Sequence, residues 1–188
     1  MNTAKNIVGL VLLVVLSLSG CAGEPTPEPL TTSATPTRGV TTSDPDGLEL
    51  VLTLDKAVYG LNEPITATIV LTNKSAQPIL VQGRLAVNWD GAPSDHRDLC
   101  LVILNPQGEK AWFEPLINMG SAQDKHFVTL APGKSLERIF PVLGAYTLDE
   151  VGEYTIQAVY QNQRDPSTGQ QAWKGELKSN PIHFTINP

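Results

Sequence analysis

From Leu48 onward the chain alternates apolar and polar residues with a period of two, and this alternation constrains the fold more than any other feature. Leu48, Leu50, Leu52 and Leu54 fall on one side of an extended backbone, with Glu49, Thr53 and Asp55 on the other. Ile65, Ala67, Ile69 and Leu71 repeat the pattern, opposed by Thr66, Thr68 and Thr72. Successive side chains of a strand point to opposite faces, so each stretch predicts a half-buried antiparallel strand. Leu99–Leu104 is apolar on both faces, which predicts a central strand, and after the turn Asn105-Pro106-Gln107-Gly108 residues 110–113 are expected to return as its hairpin partner. Further extended segments are expected at 58–60, 78–87, 127–130, 136–142, 154–160 and 182–186, separated by turn chemistry such as Asn73-Lys74-Ser75-Ala76, Pro132-Gly133 and Asp165-Pro166-Ser167-Thr168-Gly169. Short strands divided by turns, without a convincing amphipathic helix, predict an all-β antiparallel sandwich over residues 48–188.

One local sequence sharpens that class. Glu150-Val151-Gly152-Glu153-Tyr154-Thr155-Ile156 resembles the acidic-x-Gly-x-Tyr-x-Cys approach to a late strand of immunoglobulin-like domains. The resemblance implies an immunoglobulin-like sandwich in which the Tyr154 hydroxyl bonds to upstream backbone, next to the turn made by Gly152. Ile156 stands where antibody domains carry a disulfide cysteine, so an apolar contact replaces that bridge. A second set, Leu71-Thr72-Asn73, residues 102–108 followed by Trp112, residues 130–135 and Gly152-Glu153-Tyr154, is similar in order to the intracellular proteinase inhibitor domain of bacilli, itself a small immunoglobulin-like sandwich. That resemblance implies protease inhibition as an alternative function.

The first twenty residues form an export signal. A short head carries Lys5, and residues 7–18 are apolar apart from Gly9 and Ser17. At about 1.5 Å per residue this core spans roughly 18 Å, short of the ~30 Å hydrocarbon thickness. Leu18-Ser19-Gly20-Cys21 resembles the lipobox of bacterial lipoproteins. The resemblance implies cleavage between Gly20 and Cys21 and acylation of Cys21 with palmitate-class chains. Two or three such chains make attachment to a membrane stable. Ala22, where an aspartate would favour inner-membrane retention, points to the outer membrane in a two-membrane host. Residues 21–47 then begin with Glu24-Pro25-Thr26-Pro27-Glu28-Pro29 and stay rich in Pro and Thr. Proline removes a backbone donor and sets φ, so an extended, solvated tether with roughly 80 Å of reach is expected. Asp44-Pro45-Asp46-Gly47 reads as the turn that ends it.

With 13 basic and 19 acidic residues the chain carries a net charge of −6, which excludes the basic footprint of a nucleic-acid binder. Of the two cysteines, Cys21 is assigned to lipid, so Cys100 is left without an internal disulfide partner and is expected as a buried, inert thiol. No catalytic motif stands out, and neither enzyme activity nor a cofactor is expected. The densest polar stretch is the 90–98 loop, where Asp90, Asp95, His96 and Asp98 are weak candidates for a hard-cation site. The other reading is a solvated loop with Arg97 neutralising an aspartate. The 90–98 loop is expected beside residues 144–150, at the opposite end of the sandwich from the 161–171 loop. Trp89 and Trp173 are candidate partly exposed anchors, although the tryptophans of a sandwich more often pack in its core or corners. The expected role is therefore binding or structural, a protein contact or accessory subunit at the cell envelope, with the domain outside the cytoplasm.

Overall fold

The computed structural model describes residues 37–38, 42–43, 46–92, 98–114 and 120–188, all within the compact unit Ser33–Pro188. The expected export signal, Cys21 and the Pro-rich start of the expected tether lie outside the described residues. Nearly all regular structure is β, and the one helical turn among the described residues is a short 3-10 turn, Asp124–His126. No helix among them is long and apolar enough to cross a membrane.

The first sheet grows from the two alternating stretches. Strand β3 (Leu48–Leu54) buries all four of its leucines, while Glu49 and Thr53 are half-buried. It pairs antiparallel with β5 (Thr66–Asn73), Leu50 opposite Leu71, and β5 pairs antiparallel with β9 (Ser135–Pro141), Ile69 opposite Arg138. Thr72, expected on the open face, is covered there and shares a hydrogen bond with Ser135 (2.8 Å).

The other edge of β3 departs from expectation. Strands β1 (Thr37–Arg38) and β2 (Thr42–Ser43) pair along it, Thr37 opposite Leu54 and Thr42 opposite Leu50. Residues expected as solvated tether up to 47 thus belong in part to the sheet. The physical reason is local: between Pro36 and Pro45 there is no proline, and threonines favour extended pairing at an edge.

The second sheet is built on β10 (Gly152–Asn162), the longest strand. Strand β7 (Leu99–Leu104) pairs along one side, Ala158 opposite Leu101. The other side is shared by β11 (Gly175–Lys178) and β12 (Ile182–Asn187). Between those two, Ser179 receives the Ala158 N–H on its hydroxyl (3.0 Å) and Pro181 interrupts the ladder. Strand β4 (Val58–Gly60) closes the far edge in parallel with β12, Tyr59 opposite Ile186. A third, two-stranded sheet joins β6 (Ile79–Gln82) to β8 (Phe127–Leu130).

The inward rows of both main sheets form one core. Leu50, Leu52, Ile69 and Leu71 from the first meet Leu99, Leu101, Ile156, Tyr160 and Phe184 from the second, all within 2 % of full burial. Burial of this apolar area is the main favourable term in a domain without a disulfide. The result is a sandwich-like all-β fold.

Candidate functional site

The residues that shape one concave surface follow from how the outer edge of β7 is finished. An unpaired strand edge exposes a row of donors and acceptors. Here three different groups take them. Near the start of β7, Leu99 donates to Ala86 O (3.1 Å) and accepts from Asn88 N (2.9 Å). Near its end, Ile103 O accepts from Ala111 N (2.9 Å). Between these two segments no strand of the described residues intervenes. The Tyr146 hydroxyl fills the gap, donating to Leu101 O (2.8 Å) and accepting from Leu101 N (3.3 Å). Burial pushes the Tyr146 phenol above its ordinary pKa, so it keeps the proton it donates. Residues 110–113, expected as a hairpin strand, therefore touch β7 through a single bridge, Leu104 to Lys110, before Phe113 leaves to pair with Tyr146.

The gap is a slot of about 350 Å³. Leu101, Val102, Ile103 and Tyr146 form its floor; Trp89 and Asp90 stand on one wall, and Lys110, Ala111, Trp112 and Phe113 on the other. Phe113 packs against Tyr146 with ring centroids 4.9 Å apart. Trp112 is 71 % exposed and Trp89 49 %, the two most exposed large aromatics of the described residues. Trp89 is held by a close approach only glycine permits. A Cβ on Gly91 would fall 2.2 Å from the Trp89 ring, and Ala92 N closes the turn on Trp89 O (3.1 Å). An ion pair between Asp90 and Lys110 links the two walls.

The cation-site candidates separate in this setting. Asp90 faces Lys110. Asp98 is buried and receives Arg84 through Nε (2.6 Å) and Nη2 (3.0 Å), together with the Ala86 N–H (3.2 Å). Asp95, His96 and Arg97 lie outside the described residues. Among the described residues no cluster of three His, Cys, Asp or Glu side chains is placed to hold a metal. Asp98 is neutralised by Arg84, fourteen residues away. The placement of the loop also differs from expectation. Its start lies beside Tyr146, as expected, but its end lies at the opposite end of β7, where Asp98 O accepts from Gln161 N (2.9 Å).

The other sequence candidates fall as follows. The Tyr154 hydroxyl donates to Glu150 O (3.0 Å) and accepts from Glu150 N (3.1 Å). Gly152 has φ +143°, and a Cβ there would meet the Pro106 ring at 2.7 Å, so glycine is required twice over. Cys100 is buried in β7. Trp173 is buried and stacks on Tyr160 at 5.4 Å, so it is no anchor. The residues similar to the proteinase inhibitor domain sit at the end of β5, the end of β7 with its following turn, the β8–β9 connection and the start of β10. Gly20 and Cys21 lie outside the described residues.

Sequence reasoning missed Trp112 and Tyr146. A signal for Trp112 was present: it alternates with Ala111 and Phe113, which are half-buried, and so belonged on the open face. Tyr146 carried no local signal. No family model and no curated protein matches the chain.

Proposed function

We propose that this is a lipid-anchored, immunoglobulin-like domain outside the cytoplasm, whose role is non-catalytic contact with a partner at the cell envelope through the Trp89–Trp112 slot. The anchor rests on Leu18-Ser19-Gly20-Cys21. The immunoglobulin-like reading is supported by the parallel β4–β12 edge, by β10 flanked by β7 and β12, and by the Tyr154 hydroxyl bonded to Glu150. The observation that carries the binding role is the slot itself. Concave apolar surfaces framed by exposed aromatics concentrate binding energy, whereas scattered exposed residues do not.

The test uses the full chain in its native host. A photo-crosslinking residue at position 112 should give discrete adducts in intact cells, and one at Glu176, exposed on β11 across β10 from β7, should not. Adducts of equal yield from both positions, or from neither, would remove the slot as the contact surface. Cys21→Ser should move the chain from the membrane fraction to the soluble one. Unchanged fractionation would remove the anchor.

A further inference from the structure

The outer edge of β9 is open, and from its residue pattern we infer that a second copy of this chain docks there. The two β9 strands pair antiparallel about Ile139, so that the first sheet continues through a two-fold symmetric dimer. The inference is independent of the slot.

The bonds that flank β9 fix which of its backbone groups point outward. Val142 N donates to Ile65 O (2.9 Å) at one end, and Lys134 O accepts from Asn73 N (3.0 Å) at the other. Residues along an antiparallel pair alternate between exchanging both bonds and exchanging none. Leu136, Arg138 and Phe140 therefore turn their backbone groups to β5, and Ser135, Glu137, Ile139 and Pro141 turn theirs outward. Among the described residues nothing bonds to the outward backbone of Glu137 or Ile139. The side chains at 135, 137, 139 and 141 are exposed, Ile139 by 60 %. Other edges are finished differently. The edge of β3 is taken by β1 and β2, and that of β7 by residues 86–88, Tyr146 and Ala111. An open edge is a template for pairing.

Charge and hydrogen bonding select the register. In a two-fold pair the same patch serves on both copies, so each position of the axis sets a different list of opposed residues. An axis at Leu136 opposes Lys134 to Arg138, one at Glu137 opposes that carboxylate to its own copy, and one at Arg138 does the same with guanidiniums. Like charges directly opposed are unfavourable. An axis at Phe140 avoids this but makes only two backbone bonds along the strand, since Pro141 has no N–H. An axis at Ile139 opposes Ile139 to Ile139, Glu137 to Pro141 and Arg138 to Phe140, and no like charges meet. The two Ile139 residues exchange both bonds and each Glu137 N–H reaches a Pro141 carbonyl, which makes four. The exposed Ile139 side chains meet on the outer face. On the other face each Arg138, whose Nε has no hydrogen-bond partner among the described residues, lies beside a Phe140 ring, a pairing that a guanidinium favours. An unrelated extended peptide can use the same backbone donors; the self-complementary side chains are what favour a second copy.

The test places single cysteines in the full chain in its native host, applies a mild oxidant and reads non-reducing gels. Ile139→Cys brings two thiols into one bonded pair with Cα atoms about 5.5 Å apart, inside disulfide range. Glu137→Cys leaves them roughly 14 Å apart, outside it. Glu176→Cys, exposed on β11, reports random collision. The Ile139→Cys chain should give a species of twice the chain mass at about tenfold the yield of the other two. Adding Glu137→Pro removes an N–H that the fold does not use, so the melting temperature should hold while that dimer falls by about tenfold. Equal yields from positions 139 and 176, the highest yield from 137, a mixed disulfide of another mass, or indifference to Glu137→Pro would each overturn the inference. Crosslinks from position 112 do not depend on β9, so failure here leaves the slot as the partner surface.

Discussion

Tyr154 and Tyr146 make the same pair of hydrogen bonds in two different regions of this domain. Tyr154 grips both backbone groups of Glu150, and Tyr146 grips both backbone groups of Leu101. The first acts across four residues and locks its own turn, next to a glycine that nothing larger can replace. The second acts across forty-five residues and takes the place of a missing strand. The local grip leaves a closed surface. The distant one leaves a slot, because a phenol satisfies a strand edge without covering it. One chemistry thus gives stability in one place and a candidate binding site in the other.

The strongest way to break the comparison is to collapse the slot and spare the Tyr154 turn. Asp98 does more than neutralise Arg84: through Ala86 N it holds the segment that becomes the Trp89 wall. Asp98→Ala would leave the Arg84 guanidinium, with its side chain 11 % exposed, without its carboxylate. Removing one partner of a buried pair costs about 3–5 kcal/mol. Chemical denaturation should show a loss in that range together with loss of binding at the slot. A loss below about 1 kcal/mol would mean that solvent reaches the pair and that the wall stands on other contacts.

The comparison sharpens when the two hydroxyls are removed one at a time. Tyr146→Phe strips both bonds from the buried Leu101 backbone and should cost about 1–3 kcal/mol. Tyr154→Phe frees backbone of Glu150, which is only half-buried and can turn to water, so about 1 kcal/mol is expected. Crosslinking from position 112 should fall with Tyr146→Phe and hold with Tyr154→Phe. Equal stability losses and equal crosslinking would show that span makes no difference.

That contrast in span also explains what was legible in the sequence. The alternation of β3 and β5 placed their buried faces before any coordinates, because period two is a local property. Tyr154 was legible for the same reason, its partner being one turn away. Tyr146 was not: nothing near Gly144-Ala145-Tyr146 points to Leu101, and only the paired sheets bring them together. Asp98 shows the same limit, since Arg84 stands fourteen residues back in the chain and only the fold brings it to that carboxylate. The edge pairing of Thr37–Arg38 and Thr42–Ser43 was obscured by composition, because the prolines on either side made the whole stretch read as tether.

Neither hydroxyl loses its proton near neutrality, since burial raises both phenols above their ordinary range. Any pH dependence between about 5 and 8 must then arise elsewhere, and His126 is the described group placed to supply it. Its Nδ1 accepts the Gln123 N–H at 3.0 Å. Burial, with help from Arg84, Lys125 and Arg164 and against the pull of Asp98, holds its pKa below the usual histidine value. With the folded value depressed, the unfolded chain takes up the proton first. The stabilisation is therefore complete above the ordinary histidine pKa and is lost as pH falls through it to the lower folded value. His126→Gln removes the titration, so the melting-temperature gap between wild type and variant should narrow by about 1–2 °C between pH 8 and pH 5.5. A constant gap would show that folding leaves the His126 pKa where it stands in the unfolded chain. A narrowing accompanied by loss of crosslinking from position 112 would show that the 123–126 turn and the slot are coupled, and that the two regions are not independent.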